Sequence, residues 1–593
     1  MPTEQQIQAE AAPGFTHRQV LEILAGLMLA MLTSMISTSV VGTALPTIVG
    51  TLGGQEQLAW VASATLLTMT ASTPIWGKLS DLYGRKLMFQ VALVVFVLSS
   101  IAAGFSQDMG QLIAARALQG IGAGGLAALP QIILGDVVEP RERGRYSGYI
   151  GAVFGVSTVA GPLLGGFIVD NMSWRWTFWF CVPLAVVAFV VIQKVLKLPL
   201  VRRDTKVDWW GATFITGGTT ALMLLLSLGG KEFEWNSAWT YGLGALSLAL
   251  FGLTVVAERG AADPILPPHL FRNRTFVLTS VASLLVGAAM FGALMFLPQY
   301  LQIVKGMSPT GSGLMTLPLV LGLLTASILT GRFVSRTGRW KIFPVVGMLL
   351  VAVGLFLLSR LHVDSSLVMV GFDNAVLGIG LGASMQILIL AAQNAVTRAN
   401  LASATSGVSF FRSLGGAVGV AAFGAILTNR LTAELVSLAR AAHLPLSGGA
   451  VPSLGSPEAI HDLPAPILGI ILEAFTRAMS AVFVVGVPIA VLASVAVLMI
   501  KEIPLRSARS ATPVATADPA LPPVAAADPV VPSGTATSPV APTGAATPAS
   551  APSAVTTGTV TPTSAPSAVT TGTVTPSAVT ADPATPPVGA GRP

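Results

Sequence analysis

Apolar and polar positions along this chain are segregated on the scale of a bilayer. Windows of about 20 predominantly apolar residues recur near 20–45, 58–79, 87–105, 110–135, 146–168, 176–196, 209–229, 238–257, 275–302, 311–334, 342–360, 366–395, 404–428 and 470–500. Backbone groups in hydrocarbon must be satisfied within their own segment, so each of the fourteen is predicted to be a helix. The loops between them differ in charge. One set holds Lys78/Arg85/Lys86, Arg141/Arg143/Arg145, Lys194/Lys197/Arg202/Arg203/Lys206, Arg259/Arg272/Arg274, Arg332/Arg336/Arg339/Lys341 and Arg398. The other is sparse: Glu56, Asp108, Asp170, Lys231, Glu232, Glu234 and Lys305. The Lys/Arg excess predicts that the first set, and with it both termini, is cytoplasmic.

An internal repeat orders these spans. Gly77 and Gly84 recur as Gly331 and Gly338, Gly120/Gly122/Gly124 recur as Gly378/Gly380/Gly382, and Gly161 falls on Gly415. The expected fold is therefore all-α and polytopic, with two pseudo-symmetric six-helix bundles and two inserted helices. Its parts are a cytoplasmic N-terminus (1–19), a first bundle (20–196), the inserted pair with linkers (197–274) and a second bundle (275–500) with an external loop at 429–469. Residues 501–593 form a Pro/Ala/Thr-rich cytoplasmic tail; from 510 onward it has no Phe, Trp or Tyr and is expected to be disordered. Duplicated six-helix halves are the plan of transporters that rock around a midplane site.

Composition narrows the function classes. The chain is 53% hydrophobic and 10% charged, with mean hydropathy +0.75, against roughly 25% charged in a soluble domain. The net charge of +7 sits in short interspan clusters and offers no basic face for nucleic acid. With Cys181 the only cysteine there is no disulfide framework, and the histidines at 17, 269, 362, 443 and 461 lack metal-ligand spacing. There is no phosphate-binding Gly-x-x-x-x-Gly-Lys loop. No cofactor, metal or catalytic constellation is expected, and the first span reads as retained, without a signal-peptide cleavage site.

Four groups of residues carry candidate chemistry. The run Gly77-Lys-Leu-Ser-Asp81-Leu-Tyr-Gly84-Arg85-Lys86 is a charged hairpin between two spans, and Arg85 is placed to pair with Asp136 at the end of the fourth. It reads as a gating latch, or more simply as a topogenic anchor. Its echo at 331–341 has Ser335 where Asp81 would be, predicting a weaker latch. Arg116 lies about six residues into a span, where a charge costs roughly 2.5–3.5 kcal/mol unless it meets polar company. It either lines a central cavity with Gln119 or snorkels to the interface. Asp373, which the repeat aligns with Ala115, is a candidate proton carrier or cation site, or else lies at the external interface. Gly151/Gly155 and Gly161-Pro162-Leu-Leu-Gly165-Gly166 allow close helix approach, for plain packing or for a gate between halves. Trp174, Trp176 and Trp179 read as an interfacial belt.

These motifs resemble a known family. The hairpin at 77–86 is similar to the signature loop of the major facilitator superfamily. Arg116-Ala-Leu-Gln-Gly-Ile-Gly122 resembles its fourth-span signature, and Gly151 to Gly166 resembles the motif of its antiporters. Thr43-Ala-Leu-Pro46 and the run from Asp170 to Pro183 add to a likeness, over about residues 15–505, to the fourteen-span drug:proton antiporters. The resemblance implies that the 77–86 cluster shuts the cytoplasmic side in one state, that Arg116 takes part in proton coupling, and that Gly151–Gly166 limits leak. Two positions depart from the family pattern: Ser37 replaces a common first-span acid, and Cys181 a usual asparagine.

The resulting expectation is a monomeric, proton-coupled antiporter of a bacterial plasma membrane. It would export a small amphipathic compound from a mainly apolar cavity whose polar contacts are Arg116, Gln119, Asp373 and Gln386. The alternatives are a substrate-specific exporter of a metabolite, lipid or self-made antibiotic, a proton-coupled importer, and a non-transporting receptor or scaffold.

Overall fold

A computed structural model describes residues 16–53, 57–196, 208–230, 232–442, 460–461, 463–502 and 505. The expected disordered tail lies outside the described residues. Within them the secondary structure is helical apart from one isolated bridge between Gly229 and Phe233.

Fourteen helical segments follow the apolar windows. They are α1 His17–Leu52, α2 Leu58–Tyr83, α3 Arg85–Gly104, α4 Met109–Val137, α5 Pro140–Asn171, α6 Cys181–Val195, α7 Trp209–Leu228, α8 Ala238–Gly260, α9 Arg274–Ile303, α10 Leu317–Thr337, α11 Ile342–Leu358, α12 Leu367–Asn394, α13 Leu401–Ala441 and α14 Ala465–Leu498. Short helical turns at Trp176–Trp179 and Pro309–Leu314 lead into α6 and α10. Among the described residues twelve helices are long and apolar enough to cross a membrane. Of the other two segments, α11 is apolar but only 17 residues long. The second, α2, is 26 residues long and rich in Ser and Thr.

Local chemistry sets the helix starts. Thr16 and Gln19 form a reciprocal capping box on α1, and Asp108 accepts from Gln111 N at 2.8 Å at the start of α4. The hairpins end in glycine for a conformational reason. Gly84, between α2 and α3, has φ 95°, and Gly338, after α10, has φ 72°, a region costly for residues with a Cβ.

The sequence repeat is a repeat of packing. Gly120 lies against Thr65 O and Gly124 against Met69 O on α2, while their counterparts Gly378 and Gly382 lie against Leu319 O and Leu323 O on α10. Gly122 abuts Ala92 and Phe96 on α3, and Gly380 abuts Gly347 and Val351 on α11. Gly161 meets Ser39 on α1, and Gly415 meets Leu284 on α9. Glycine at each contact lets backbones approach closely, which is how apolar helices gain dispersion energy in lipid. The inserted α7 and α8 pack on each other, and α7 docks against α2 and α13.

Two expectations about limits and exposure differ from the structure. The segment expected as an external loop from 429 is helical as far as Ala441, because α13 continues beyond its apolar window as a polar helix; Glu434 there pairs with Arg477 of α14 at 3.5 Å. Residues 443–459 of that loop lie outside the described residues. Trp174 is 3% exposed, packed among Val41, Ala44 and Phe178 under the Arg175 guanidinium, whereas Trp176 is exposed, so the three tryptophans do not form one belt.

Candidate functional site

The interior of the first bundle holds a buried polar network. Arg116, seven residues into α4, is 2% exposed and makes no ion pair among the described residues. Its Nε donates to Val61 O at 3.2 Å and its Nη1 to Gln119 Oε1 at 2.7 Å. Gln119 Nε2 donates in turn to Ser100 Oγ at 2.7 Å and Ser37 Oγ at 3.2 Å. Thr65 closes the cluster by donating to Arg116 O at 3.0 Å. Four helices, α1 to α4, thus share one network around a guanidinium that a carboxylate does not neutralise. Such a charge in a low dielectric persists only where carbonyl and amide dipoles surround it.

The second bundle contributes polar groups with open valences. Gln386 on α12 is buried and its Nε2 has no partner among the described residues. Asp373 is 1% exposed with Oδ2 unpartnered. Both were expected among the polar contacts of the cavity, and they stand on different faces of α12. Thirteen residues at 100° each set the two about 140° apart around α12. Gly354 packs on Leu377 and Gly347 on Gly380, a register that turns Asp373 toward α11. No hydrogen bond or ion pair joins Asp373 to Arg116, Gln119 or Gln386 among the described residues.

The two halves meet along a seam lined with small residues. Gly144, Gly148, Gly151 and Gly155 on α5 face α10, where an added Cβ would lie 2.9 Å from Gly331 O, 3.1 Å from Ser327 O, 2.6 Å from Ser327 Oγ and 2.9 Å from Val320 Cγ1. The pseudo-symmetric crossing brings Gly77 of α2 onto Ser406 of α13, with Cβ 2.7 Å away. Gln393 Nε2 spans the halves to Gln131 O at 3.2 Å. The antiporter-like glycines therefore divide: Gly151 and Gly155 face the other half, whereas Gly161 and Gly165 pack within their own half on Ser39 and Thr43. A Cβ at Gly166 would lie 3.9 Å from Thr310 Oγ1, an ordinary contact. Pro162 lies within the continuous helix α5, its side chain outside the described residues.

At one end of the seam sit both hairpins. Arg85 bridges Asp81 (Nη2 to Oδ1, 2.5 Å) and Asp136 (Nε to Oδ2, 2.6 Å) and donates to Ser80 Oγ at 2.7 Å. Lys86 reaches Gln193 O at 2.8 Å. All of these partners belong to the first bundle. The second hairpin makes the cross-half bonds: Arg145 N donates to Ser335 Oγ at 3.0 Å, and Arg141 donates to Ser335 O at 3.2 Å and Arg336 O at 2.9 Å. Those carbonyls close α10, so a guanidinium there also meets the negative end of a helix. Glu502 takes the backbone N–H groups of Trp340 and Lys341 at 2.9 and 3.2 Å.

Two roles escaped the sequence reading, those of Lys78 and Arg412. Lys78, 4% exposed, pairs with Asp263 beyond α8 and ties the inserted helices to the first hairpin. Arg412 on α13 is buried under Phe154 of α5. Its signal was the same as that of Arg116: a charge well inside an apolar window.

A duplicated bundle of membrane-length helices, with a buried polar interior and a hairpin in each half, is the architecture of a secondary transporter, a class that moves solutes without catalysing a reaction. Residues 27–420 match the profile of the Major Facilitator Superfamily, and the chain belongs to that family. It is 41% identical to an uncharacterized MFS-type transporter of Mycobacterium tuberculosis over 82% of this chain and 70% of that one. It is 34% identical to the multidrug transporter protein MdtP of Bacillus subtilis, over 82% and 94% respectively. The MFS proton:xylose symporter XylE shares the fold, with TM-score 0.53 and 14% identity over 81% of this chain and 95% of that chain.

Proposed function

We propose that this transporter exports small amphipathic compounds across a bacterial plasma membrane by alternating access, in exchange for protons, as a monomer with both termini cytoplasmic. The observation that carries the reading is the form of the seam. At the hairpin end the halves are joined by glycine contacts and a few polar bonds, an interface that can open without exposing a large apolar core. The state described is then the one with the cytoplasmic side shut. The likeness to multidrug transporter proteins supports export of compounds with an apolar body.

In this scheme the Asp81–Arg85–Asp136 cluster stiffens the first hairpin, and Gly151 and Gly155 keep the seam tight against leak. Arg116 and Gln119 form the polar floor of the first half. Asp373 is the remaining candidate for the coupling proton, acting from the α11 side of its helix. Proteoliposomes with an imposed pH gradient and a panel of cationic and neutral amphipathic compounds test the reading. Movement of a compound against the proton flow is expected. Movement in the same direction as protons would establish an importer, and no movement of any compound would leave the scaffold reading standing.

A further inference from the structure

We infer that the second half carries an anion-binding subsite, facing Gly151–Phe154 of α5, that accepts the carboxylate or equivalent acid of an amphipathic organic anion. The inference rests on the exporter reading and adds the charge class of a cargo.

Three side chains, each with an unpartnered donor atom among the described residues, face that stretch of α5. Arg412 is 7% exposed, its Cζ lies 5.4 Å from the Phe154 ring centroid, and its Nη1 has no hydrogen-bond partner among the described residues. Gln386 and Ser327, each 4% exposed, have Nε2 and Oγ unpartnered. A Cβ at Gly151 would lie 2.6 Å from Ser327 Oγ and 3.6 Å from Gln386 Cγ. Gly151 and Phe154, three residues apart on α5, share a face. One stretch of α5 is therefore met by side chains of α10, α12 and α13, each with an N–H or O–H to give.

The charge balance points the same way. Among the described residues Arg412 makes no ion pair, and its visible compensation is the face of Phe154. A buried guanidinium held only by a ring is under-compensated, and leaving such a group unpaired is costly. A cationic cargo would add to this deficit. A carboxylate would relieve it, accepting from the planar guanidinium fork and from the amide and hydroxyl beside it, while the apolar body of the cargo lies against Phe154. Gln386 and Ser327 also sit at the seam, so occupancy would be felt where the halves separate.

Three probes of nearly one shape test this: 1-pyrenebutyrate, its neutral carboxamide, and 1-pyrenebutylamine, bound to the purified full-length protein and read by pyrene anisotropy. Wild type is expected to bind the carboxylate about tenfold more tightly than the amine, the scale of one charge-assisted hydrogen bond. Arg412→Gln should cut carboxylate affinity by about tenfold and leave the carboxamide within about twofold. Gln386→Leu and Ser327→Ala should each lower carboxylate affinity by a smaller factor, and they carry the test if Arg412→Gln does not yield monodisperse protein. Equal binding of all three probes, an unchanged carboxylate affinity in these variants, or an equal loss for all three probes would overturn the subsite. Counterflow in proteoliposomes separates the two readings. Carboxylate binding without movement of any probe would remove the exporter and keep the subsite; movement of carboxamide and amine without carboxylate preference would do the reverse.

Discussion

Ser335 and Arg145 meet across the seam between the halves: the Ser335 hydroxyl accepts the Arg145 backbone N–H at 3.0 Å and itself donates to Gly331 O at 2.9 Å. In the repeat Ser335 occupies the place of Asp81, whose carboxylate instead holds Arg85 within its own half. With a neutral hydroxyl where the first copy has an acid, the second copy bonds across the boundary. The two hairpins do different work, one stiffening a half and the other joining the halves.

Closure at this end should depend on the bare backbones beside that bond. A side chain at Gly331 would strike Gly144 O, and overpacking of this kind costs about 1–3 kcal/mol. Gly331→Val is expected to shift the population toward the hairpin-open state by about five- to 150-fold, since 1.4 kcal/mol is tenfold. Ser335→Ala, which removes one neutral hydrogen bond, should shift it by about 0.5–1.5 kcal/mol. Cysteine labelling at a Ser147→Cys reporter measures both, because Ser147 is 8% exposed on the α5 face that Gly144 and Gly151 turn to α10, and Cys181 is buried. Labelling unchanged in Gly331→Val would refute the assignment.

The Arg85 cluster should behave as a unit. Its guanidinium serves Asp81, Asp136 and Ser80 together, with the Arg85 side chain 12% exposed. Arg85→Lys keeps the charge but has no fork to span two carboxylates. We expect Arg85→Lys and Asp136→Asn each to lower stability by about 1–3 kcal/mol, and the double variant to lose less than their sum. Thermal unfolding of the detergent-solubilised protein gives the cycle; strict additivity would show that the pair is not coupled.

Lys78 and Asp263 make a sharper test of the inserted helices. Lys78 is almost fully buried on α2, and its partner lies in the segment that follows α8. Removing one partner strands a charge, whereas removing both need not. Asp263→Asn should therefore destabilise the protein by about 3–5 kcal/mol if the site stays dry, and Lys78→Met in that background should restore much of the loss. Limited proteolysis of the inserted pair, α7 and α8, is expected to speed up in the single variant alone.

How far the sequence foretold this molecule follows from which forces leave a mark in it. Hydropathy marks lipid contact, so the apolar helices were legible, twelve of them long and apolar enough to cross a membrane among the described residues, and glycine at turns and crossings marked the repeat. It does not mark helix length, which is why the polar continuation of α13 to Ala441 was read as loop. The Arg85–Asp136 pair was legible because the two opposite charges stand at the same end of neighbouring helices. The bond from Arg145 to Ser335 was not, since its donor is a backbone N–H that any residue supplies. Asp373 was read from its depth and its place in the repeat, which say nothing of rotation, and α12 sets it about 140° from Gln386. Arg412 was passed over although it lies inside an apolar window, and its partner Phe154 lies in the other half and carries no pairing signal.

The Arg116 network makes a last, internal prediction about Ser37. Gln119 stands between them, accepting from Arg116 Nη1 at 2.7 Å and donating to Ser37 Oγ at 3.2 Å. Gln119→Leu removes that bridge and leaves a buried guanidinium short of one acceptor, a loss of about 1.5–3 kcal/mol. A carboxylate at position 37 would sit one side chain from the same guanidinium, in a medium where opposite charges interact strongly. Ser37→Asp should therefore be tolerated in otherwise wild-type protein and should reduce the penalty of Gln119→Leu. If instead the double variant is less stable than Gln119→Leu alone, position 37 is too far from Arg116 to share its charge, and the network is held together by Gln119 and not by a common electrostatic centre.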